Sequence, residues 1–499
     1  MTRLVVVSNR VSIPGDSANR AGGLEVALRP ALQNNGGVWL GWSGRIAAGN
    51  ELETRSVRHK NIEYVVTDLS KEGFEEYYSG FANRVLWPIL HYRLDLAEFA
   101  RRDLSGYFKV NNHFAAELEK IIERDDLLWV HDYHLIPIAD ALRRRRHSNR
   151  IGFFLHVPLP PPEILTSLPN HEQLIPLLLQ YDVVGFQTDG DVQNFIRYLI
   201  SECSQMREVR IFESAGQYVL SVNGQETLIG SFPVGIEPRA FARLARRKSP
   251  LVKSLVASLG DRNLVIGVDR LDYSKGLIQR LDAFDIFLAN HSEWLGKLNY
   301  LQITPTNRAE IPEYSELQGA LESAAGRING KYGEVSWTPI RYVNRVYSRS
   351  ALAGLYRTAR VGLVTPLRDG MNLVAKEYVA AQDPDDPGVL ILSRFAGAAI
   401  KFRSALLVNP YDAESVANAL SQALTMPLEE RCARHEALYA NICEYDVGRW
   451  HREFLTALRQ RQGVESLQSY ASNDELTLAA DLPVRQLEKR PAIEVDRPK

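Results

Sequence analysis

An α/β fold divided into two domains is what this sequence predicts, and three observations carry the prediction. Short apolar runs rich in β-branched residues recur along the chain, each followed by a polar or glycine-bearing loop and then by helical periodicity. That alternation builds a parallel sheet covered by helices. The pattern begins strand-first at Leu4 and begins strand-first again at Asn263. The length, 499 residues, exceeds what one hydrophobic core serves.

Composition narrows the class. Hydrophobic residues at 45% and charged residues at 24% are the ordinary globular balance. A formal charge of −1 gives no bulk attraction for nucleic acid or an acidic membrane surface, so an anionic substrate would be held by local arginines and lysines. Cys203, Cys432 and Cys443 are too few and too scattered for a disulfide framework or structural zinc. Met1 is followed at once by a strand rather than by a secretory apolar region, and no apolar run reaches bilayer length. A soluble, cytoplasmic protein is expected.

In chain order, Leu4 to Arg10 reads as the first central strand, with Arg10 just past its carboxyl end, where parallel sheets meet ligands. Ala21-Gly-Gly-Leu24 opens a helix running to about Gln33, and its glycines let backbone N–H groups approach a ligand. Gly36 to Gly44 reads as a strand and turn, with Trp39 in the core and Trp42 presented to a ligand. Glu76 to Phe81 and Val85 to Pro88 add Tyr78 and Trp87, rings that suit either a core or a sugar. Two neighbouring strands end in His131-Asp132-Tyr133-His134 and in His156, before a run of prolines. These histidines lack metal-site spacing, and no Gly-x-Ser-x-Gly nucleophile elbow is present. Hydrogen bonding of His156 to a hexose hydroxyl fits better. Tyr181 to Thr188 is a further strand, Val209 to Leu228 a hairpin turning at Asn223-Gly224, and Phe232 to Pro238 the domain boundary.

The second half opens with Asn263 to Gly276, where Arg270 and Lys275 flank the turn into a helix; two such cations can clamp a diphosphate. Leu301 to Arg308 is a strand ending in a candidate phosphate-binding arginine, followed by a helix over Glu316 to Ala325. In Val361 to Gln382, Pro366 stops a strand, Arg368-Asp369-Gly370 turns, and Asn372 caps a helix whose free amides suit a phosphate. Asp369 adds a carboxylate at that edge, and Glu377 can accept from sugar hydroxyls further along. Two more strands, near Gly388 and Ala405, precede helices at Glu414, Leu428 and Trp450; from about Ser469 the chain reads as a mobile tail. There is no Gly-x-Gly-x-x-Gly after the first strand, which sets aside a dinucleotide oxidoreductase.

The strings Asp369-Gly-Met-Asn-Leu, Lys376-Glu-Tyr and Arg270-Leu-Asp-Tyr-Ser-Lys-Gly, with Ser8-Asn-Arg and the Gly22-Gly23 loop, resemble the trehalose-6-phosphate synthases, retaining glycosyltransferases of family 20. The resemblance covers roughly Leu4 to Leu458. It implies a GT-B fold: two facing Rossmann-like domains with the active site in the cleft between them. Residues 1–235 would be the acceptor domain, 236–447 the donor domain, 448–465 a helix crossing back and 466–499 the tail. It implies transfer of glucose from UDP-glucose to glucose 6-phosphate, giving α,α-trehalose 6-phosphate and UDP, in trehalose biosynthesis under stress. No metal or cofactor beyond the nucleotide sugar is implied. A homo-oligomer, dimer or tetramer, and a separate trehalose-phosphate phosphatase downstream are implied.

By the same resemblance Arg270 and Lys275 hold the donor diphosphate, Glu377 the ribose, and Asp369 and His156 hydroxyls of the transferred glucose. Gly22, Gly23, Gly370, Met371, Asn372, Leu373 and Val374 close on the donor. Arg10, Tyr78 and Arg308 hold the acceptor phosphate, and Trp42, Trp87, Asp132 and Tyr133 line the acceptor sugar. The implied chemistry is front-face attack, with the departing phosphate taking the acceptor proton; Asp369 as a positioning group or as a nucleophile stays open. Lys401 departs from the acidic residue usual in bacterial relatives, and Asn307-Arg-Ala-Glu310 from their Ser-Arg-x-Asp. A glucosylglycerol-phosphate synthase and a non-catalytic sugar-phosphate sensor are the alternatives. Trp42, Tyr78, Trp87 and Arg308 speak against the first, and Asp369, Arg270, Lys275 and Glu377 against the second.

Overall fold

The two strand-first halves form two sheets. A computed structural model of the chain describes residues 2–14, 23–49, 52–202, 209–214, 217–222, 225–247, 249–306, 312–460 and 475–477. The sheet of the second half runs Ile340–Val343, Leu298–Ile303, Asn263–Val268, Val361–Val364, Val389–Ser393, Leu406–Val408, with every pairing parallel. In chain order these are the third, second, first, fourth, fifth and sixth strands. Connections therefore leave in opposite directions on either side of the Asn263–Val268/Val361–Val364 pair, and that reversal opens a crevice at the carboxyl ends. Apart from Asn263 at one end, the central strands are buried, as expected of continuous apolar runs covered by helices on both faces.

The first sheet places seven strands in parallel: Gln225–Ser231, Val183–Phe186, Arg150–Phe154, Leu127–His131, Leu4–Arg10, Gly37–Ile46 and Ile62–Leu69. Its order reverses between Leu4–Arg10 and Leu127–His131, the strands that end at Arg10 and just before Asp132. Antiparallel strands extend both edges: Thr54–His59 on one, Gln217–Val222, Val209–Ser214 and Glu475–Thr477 on the other. The expected hairpin is thus a three-strand meander. Asn223-Gly224 lies outside the described residues, but Val222 and Gln225 pair on either side of it.

Two elements differ from expectation. Phe74–Leu86 winds as a π-helix, packed by Tyr77, Phe81 and Val85. The helix expected over Glu316 to Ala325 runs Pro312–Tyr332, through Gly326 and Gly330, whose surroundings are open. No helix among the described residues is long and apolar enough to cross a membrane.

Phe232 to Pro238 lead on from Gln225–Ser231 of the first sheet toward the second, and Tyr445 to Val447 lead into the helix that packs on the first sheet. The crossings lie side by side: Val447 N donates to the Ile236 carbonyl at 2.9 Å, and a methyl on Gly235 would collide with the Tyr445 carbonyl. The returning helix, Val447–Arg459, is capped by Asp446, whose carboxylate accepts from Arg449 N. It lays Trp450 and Phe454 against Trp129 at 4.9 and 4.7 Å between ring centres. Gly152 and Gly185 make room for the Phe454 ring.

Candidate active site in the interdomain cleft

A cavity of about 300 Å³ opens where the two reversals face each other. Asp132, His156 and Gln187 line it from the first domain, and Asp269, Arg270, Lys275, Asp369, Met371, Asn372, Leu373 and Val374 from the second.

The second-domain wall is built by two strand–helix loops. In the first, the Asp272 side chain accepts from Ser274 N at 2.9 Å. Gly276 then takes a left-handed φ of 64°, pressed against the Thr365 carbonyl, to start helix Leu277–Asn290. This geometry aims Lys275 inward, with Nζ 2.6 Å from Asp369 Oδ2. Arg280, fully buried, locks the loop from beneath. It pairs with Asp269 at 2.9 Å and donates to Thr365 Oγ1, Gln302 Oε1 and the Lys275 carbonyl. Burial pushes the Asp269 carboxyl up, against the pull of Arg280. Asp269 and Arg280 were absent from the sequence expectations. The available signal was a cation inside an apolar stripe, between Leu277 and Leu281. Arg270 is more open, 3.7 Å from Asp272 and 5.5 Å from the Trp87 ring centre across the cleft.

In the second loop, Asp369 N donates to the Phe395 carbonyl, and Oδ2 also accepts from Asn372 Nδ2 at 3.1 Å. Asn372 has φ 74°, a region that asparagine tolerates better than most residues, and its Oδ1 accepts from Ala375 N. Gly370 abuts the His156 carbonyl so closely that any side chain would force the domains apart. Glu377, one turn along, lies 3.6 Å from Arg349 outside the cavity lining; burial raises its carboxyl to about 7, with Arg349 opposing.

On the first-domain wall, Asp132 holds φ 76°, a strained backbone for a residue with a side chain, and its Oδ1 accepts from His156 N. The His156 ring lies 3.1 Å from that of His131, and burial lowers it to about 3, so the imidazole is neutral. Arg10 lies over Trp42 at 5.7 Å and fills the space beside Gly44, where a Cβ would stand 2.7 Å from its guanidinium. Trp42 was expected to present its ring. It is instead 4% exposed, packed at tilted angles against Tyr78 and Phe74, and its indole N–H donates to the Arg45 carbonyl at 2.7 Å. Tyr78 stacks on His134, and the buried Trp87 and Tyr133 stand 5.8 Å apart. Tyr77, also unexpected, donates to Asn9 Oδ1 at 2.8 Å and ties the π-helix to the strand end bearing Arg10. Gly22 and Arg308, with the Asn307-Arg-Ala-Glu310 departure, lie outside the described residues. Gly23 opens helix Gly23–Asn35, whose Ala27 reaches the cavity. Lys401 is not at the cleft chemistry; its ammonium stands 5.3 Å from the Tyr445 ring at the crossing. Among the described residues no group of three or more His, Cys, Asp or Glu could hold a metal.

The model of glycosyltransferase family 20 matches residues 3–460. The trehalose-6-phosphate synthase of Sinorhizobium fredii is 52% identical over 463 residues, covering 92% of this chain and 98% of its own. That of an Enterobacter species is 48% identical, covering 92% and 96%. Among solved structures, a UDP-forming α,α-trehalose-phosphate synthase from Burkholderia xenovorans in complex with glucose-6-phosphate superposes with a TM-score of 0.88 at 43% identity, covering 92% and 100%. An E. coli protein bound with UDP-2-fluoro glucose superposes at 0.86 and 44%, covering 92% and 99%.

Proposed function

The chain belongs to glycosyltransferase family 20, a family of glycosyl-transferring enzymes, and from that premise we propose how its cleft transfers glucose from UDP-glucose to glucose 6-phosphate. The product is α,α-trehalose 6-phosphate. The observation that carries the reading is the convergence of Lys275 and Asn372 on one carboxylate oxygen of Asp369 in the interdomain cavity, with Arg270 at its edge. Lys275 spends one of its donors on Asp369, leaving others for a diphosphate oxygen. Arg270 and the amides at the start of helix Leu373–Ala381 add positive potential where the leaving group gathers charge. Asp369, fastened by two donors, orients a glucose hydroxyl. His156, held neutral by burial, is a hydrogen-bonding partner rather than an acid. The acceptor proton then passes to the departing phosphate, whose oxygen becomes basic as the glycosidic bond breaks, on the face where the acceptor arrives. Configuration is retained.

Arg10 and Tyr78, with Arg308, bind the acceptor phosphate; Asp132, Tyr133 and Trp87 shape the sugar pocket, and Trp42 supports Arg10 from behind. Arg270 and Lys275 take the part a divalent cation plays elsewhere, so turnover in excess EDTA is expected to equal turnover without it. Self-association into a dimer or tetramer, a downstream phosphatase and a cytoplasmic location belong to the same reading; sedimentation velocity tests the first. The deciding experiment is NMR identification of the product formed from glucose 6-phosphate and UDP-, ADP- or GDP-glucose. An α,α-linked disaccharide phosphate is expected, formed best from UDP-glucose; no transfer from any donor overturns the reading.

A further inference from the structure

Among the described residues, three arginine–aromatic pairs join the two domains. Arg270 faces Trp87, Arg93 lies 5.4 Å from the Tyr273 ring centre, and the Arg368 guanidinium carbon stands 4.2 Å over the ring of Tyr92. In the last, the stacking is joined by a direct bond: Arg368 Nη2 donates to the Tyr92 hydroxyl at 2.6 Å. Tyr92 belongs to the first domain, and Arg368 immediately precedes Asp369 in the second.

The backbone of Tyr92 marks this pair out. Its φ is 64°, in the left-handed region, where the chain turns off the end of helix Trp87–Leu90. Tyr92 N donates to the Ile89 carbonyl and Arg93 N to the Pro88 carbonyl at 2.8 Å, closing the turn. Glycine enters that region without resistance, whereas a bulky aromatic does so against steric repulsion. The turn alone does not ask for a ring; Arg368 does.

Each partner is wired to one wall of the cavity. On Tyr92's side, the neighbouring His91 is buried with Nδ1 2.8 Å from the Trp87 carbonyl, and Trp87 stands against Tyr133. On Arg368's side, Leu367 N donates to the Ser274 carbonyl at 2.7 Å, joining this loop to the one carrying Lys275. Asp369 follows with its bond to Lys275 Nζ.

We propose that Tyr92 and Arg368 form an interdomain latch, a pair of positioning residues that fixes the Asp369–Lys275 pair against the pocket wall around Trp87. The inference rests on the transferase reading above. In the reaction the anomeric carbon and the acceptor hydroxyl come from different domains, so a small error in domain placement costs turnover more than it costs binding of either substrate. The latch acts on kcat.

The test uses the full chain and the variants Tyr92→Phe, Tyr92→Gly, Arg368→Gln and Tyr92→Phe/Arg368→Gln. It measures kcat, both KM values, Kd for UDP, and Tm. Tyr92→Gly and Arg368→Gln are expected to lower kcat by about tenfold or more while Kd for UDP stays within about threefold. Tyr92→Phe, which keeps the ring and loses the hydroxyl, falls between them and wild type. The double variant is no slower than Arg368→Gln alone, because the pair acts as a unit. Tm is unchanged in Tyr92→Phe, and in Tyr92→Gly relief of the backbone offsets lost packing. A kcat within about twofold of wild type in both Tyr92→Gly and Arg368→Gln overturns the latch alone. So do losses of kcat that track falling Tm, which would mark a merely structural contact. Absence of transfer in the wild-type chain overturns both the latch and the transferase reading.

Discussion

Arg10 is exposed at its strand end, but its guanidinium packs on two sides: it lies beside Gly44, which leaves space for it, and over the Trp42 ring. Gly44→Ala places a methyl inside that space on a backbone whose φ of 84° already disfavours a side chain. It should therefore reproduce the Arg10→Ala defect from outside the substrate pocket. Both variants are expected to lower kcat/KM for glucose 6-phosphate by about tenfold or more, and for unphosphorylated glucose far less. Measuring the two acceptors side by side checks this, and an unchanged ratio refutes Arg10 as a phosphate reader. Lys275→Ala should cost about a thousandfold in kcat/KM, since it removes a donor aimed at developing charge. Lys275→Arg should restore little, because the narrow approach to Asp369 suits an ammonium. Residues such as Arg10, Lys275 and Asp369 were legible in the sequence because they stand where a strand pattern stops and a helix pattern starts. Asp269 and Arg280 were not, since their importance comes from burial and mutual pairing across loops, which no local pattern displays. Trp42 differs from its expected exposure for the same reason: flanking glycines suggest an exposed ring, but the indole packs against the distant Phe74 and Tyr78.

Helix Leu373–Ala381 carries an unusual adjacent pair, Lys376 and Glu377. Lys376 is 4% exposed, with Nζ donating to the Val234 carbonyl at 2.7 Å, and burial lowers it from 10.5 to about 7. A lysine that releases its proton more readily when folded makes the folded state gain stability as pH rises from about 7 toward 10.5. Glu377, raised from 4.5 to about 7, works oppositely: its contribution is full below 4.5 and is lost as pH rises to about 7. Lys376→Met should flatten the climb of Tm above neutrality, and Glu377→Gln the decline on the acid side; thermal melts across pH 4 to 10 read both. Unaltered slopes would show that neither group is held as described. This element was the most legible in the chain, since an apolar run, a proline, a turn and an N-cap follow in sequence. The π-helix Phe74–Leu86 was not legible at all, because a wider turn breaks the spacing by which helices are recognised. The helix Pro312–Tyr332 outran its expected end, since Gly326 and Gly330 lower propensity without forbidding the conformation.

Over the whole molecule, two strand-first halves announced two α/β domains, and the strand reversals located the cleft, but the pairing of the halves came only from the folded chain. The helix that returns to the first domain shows why. Its Trp450 and Phe454 meet Trp129 and Phe154, more than 290 residues away in sequence, in gaps left by Gly152 and Gly185. Phe454→Ala should cost about 3–5 kcal/mol of stability, as for a fully buried phenylalanine. Denaturant unfolding followed by tryptophan fluorescence measures the loss, and a cost below about 1 kcal/mol would deny the helix its place on the first sheet. The double crossing has a further consequence, which is kinematic. A domain hung from a single tether can swing through a wide solid angle and spin about the tether. Here one segment leaves the first domain beside another that returns to it, bonded from Val447 N to the Ile236 carbonyl, with no space for a side chain at Gly235. Such a spine resists spin and sideways slip more than it resists rotation about its own axis. Any opening of the cleft should therefore be least beside the spine and greatest at the far rim, as in a book, and closing should bring the two facing pages back to the same line of text.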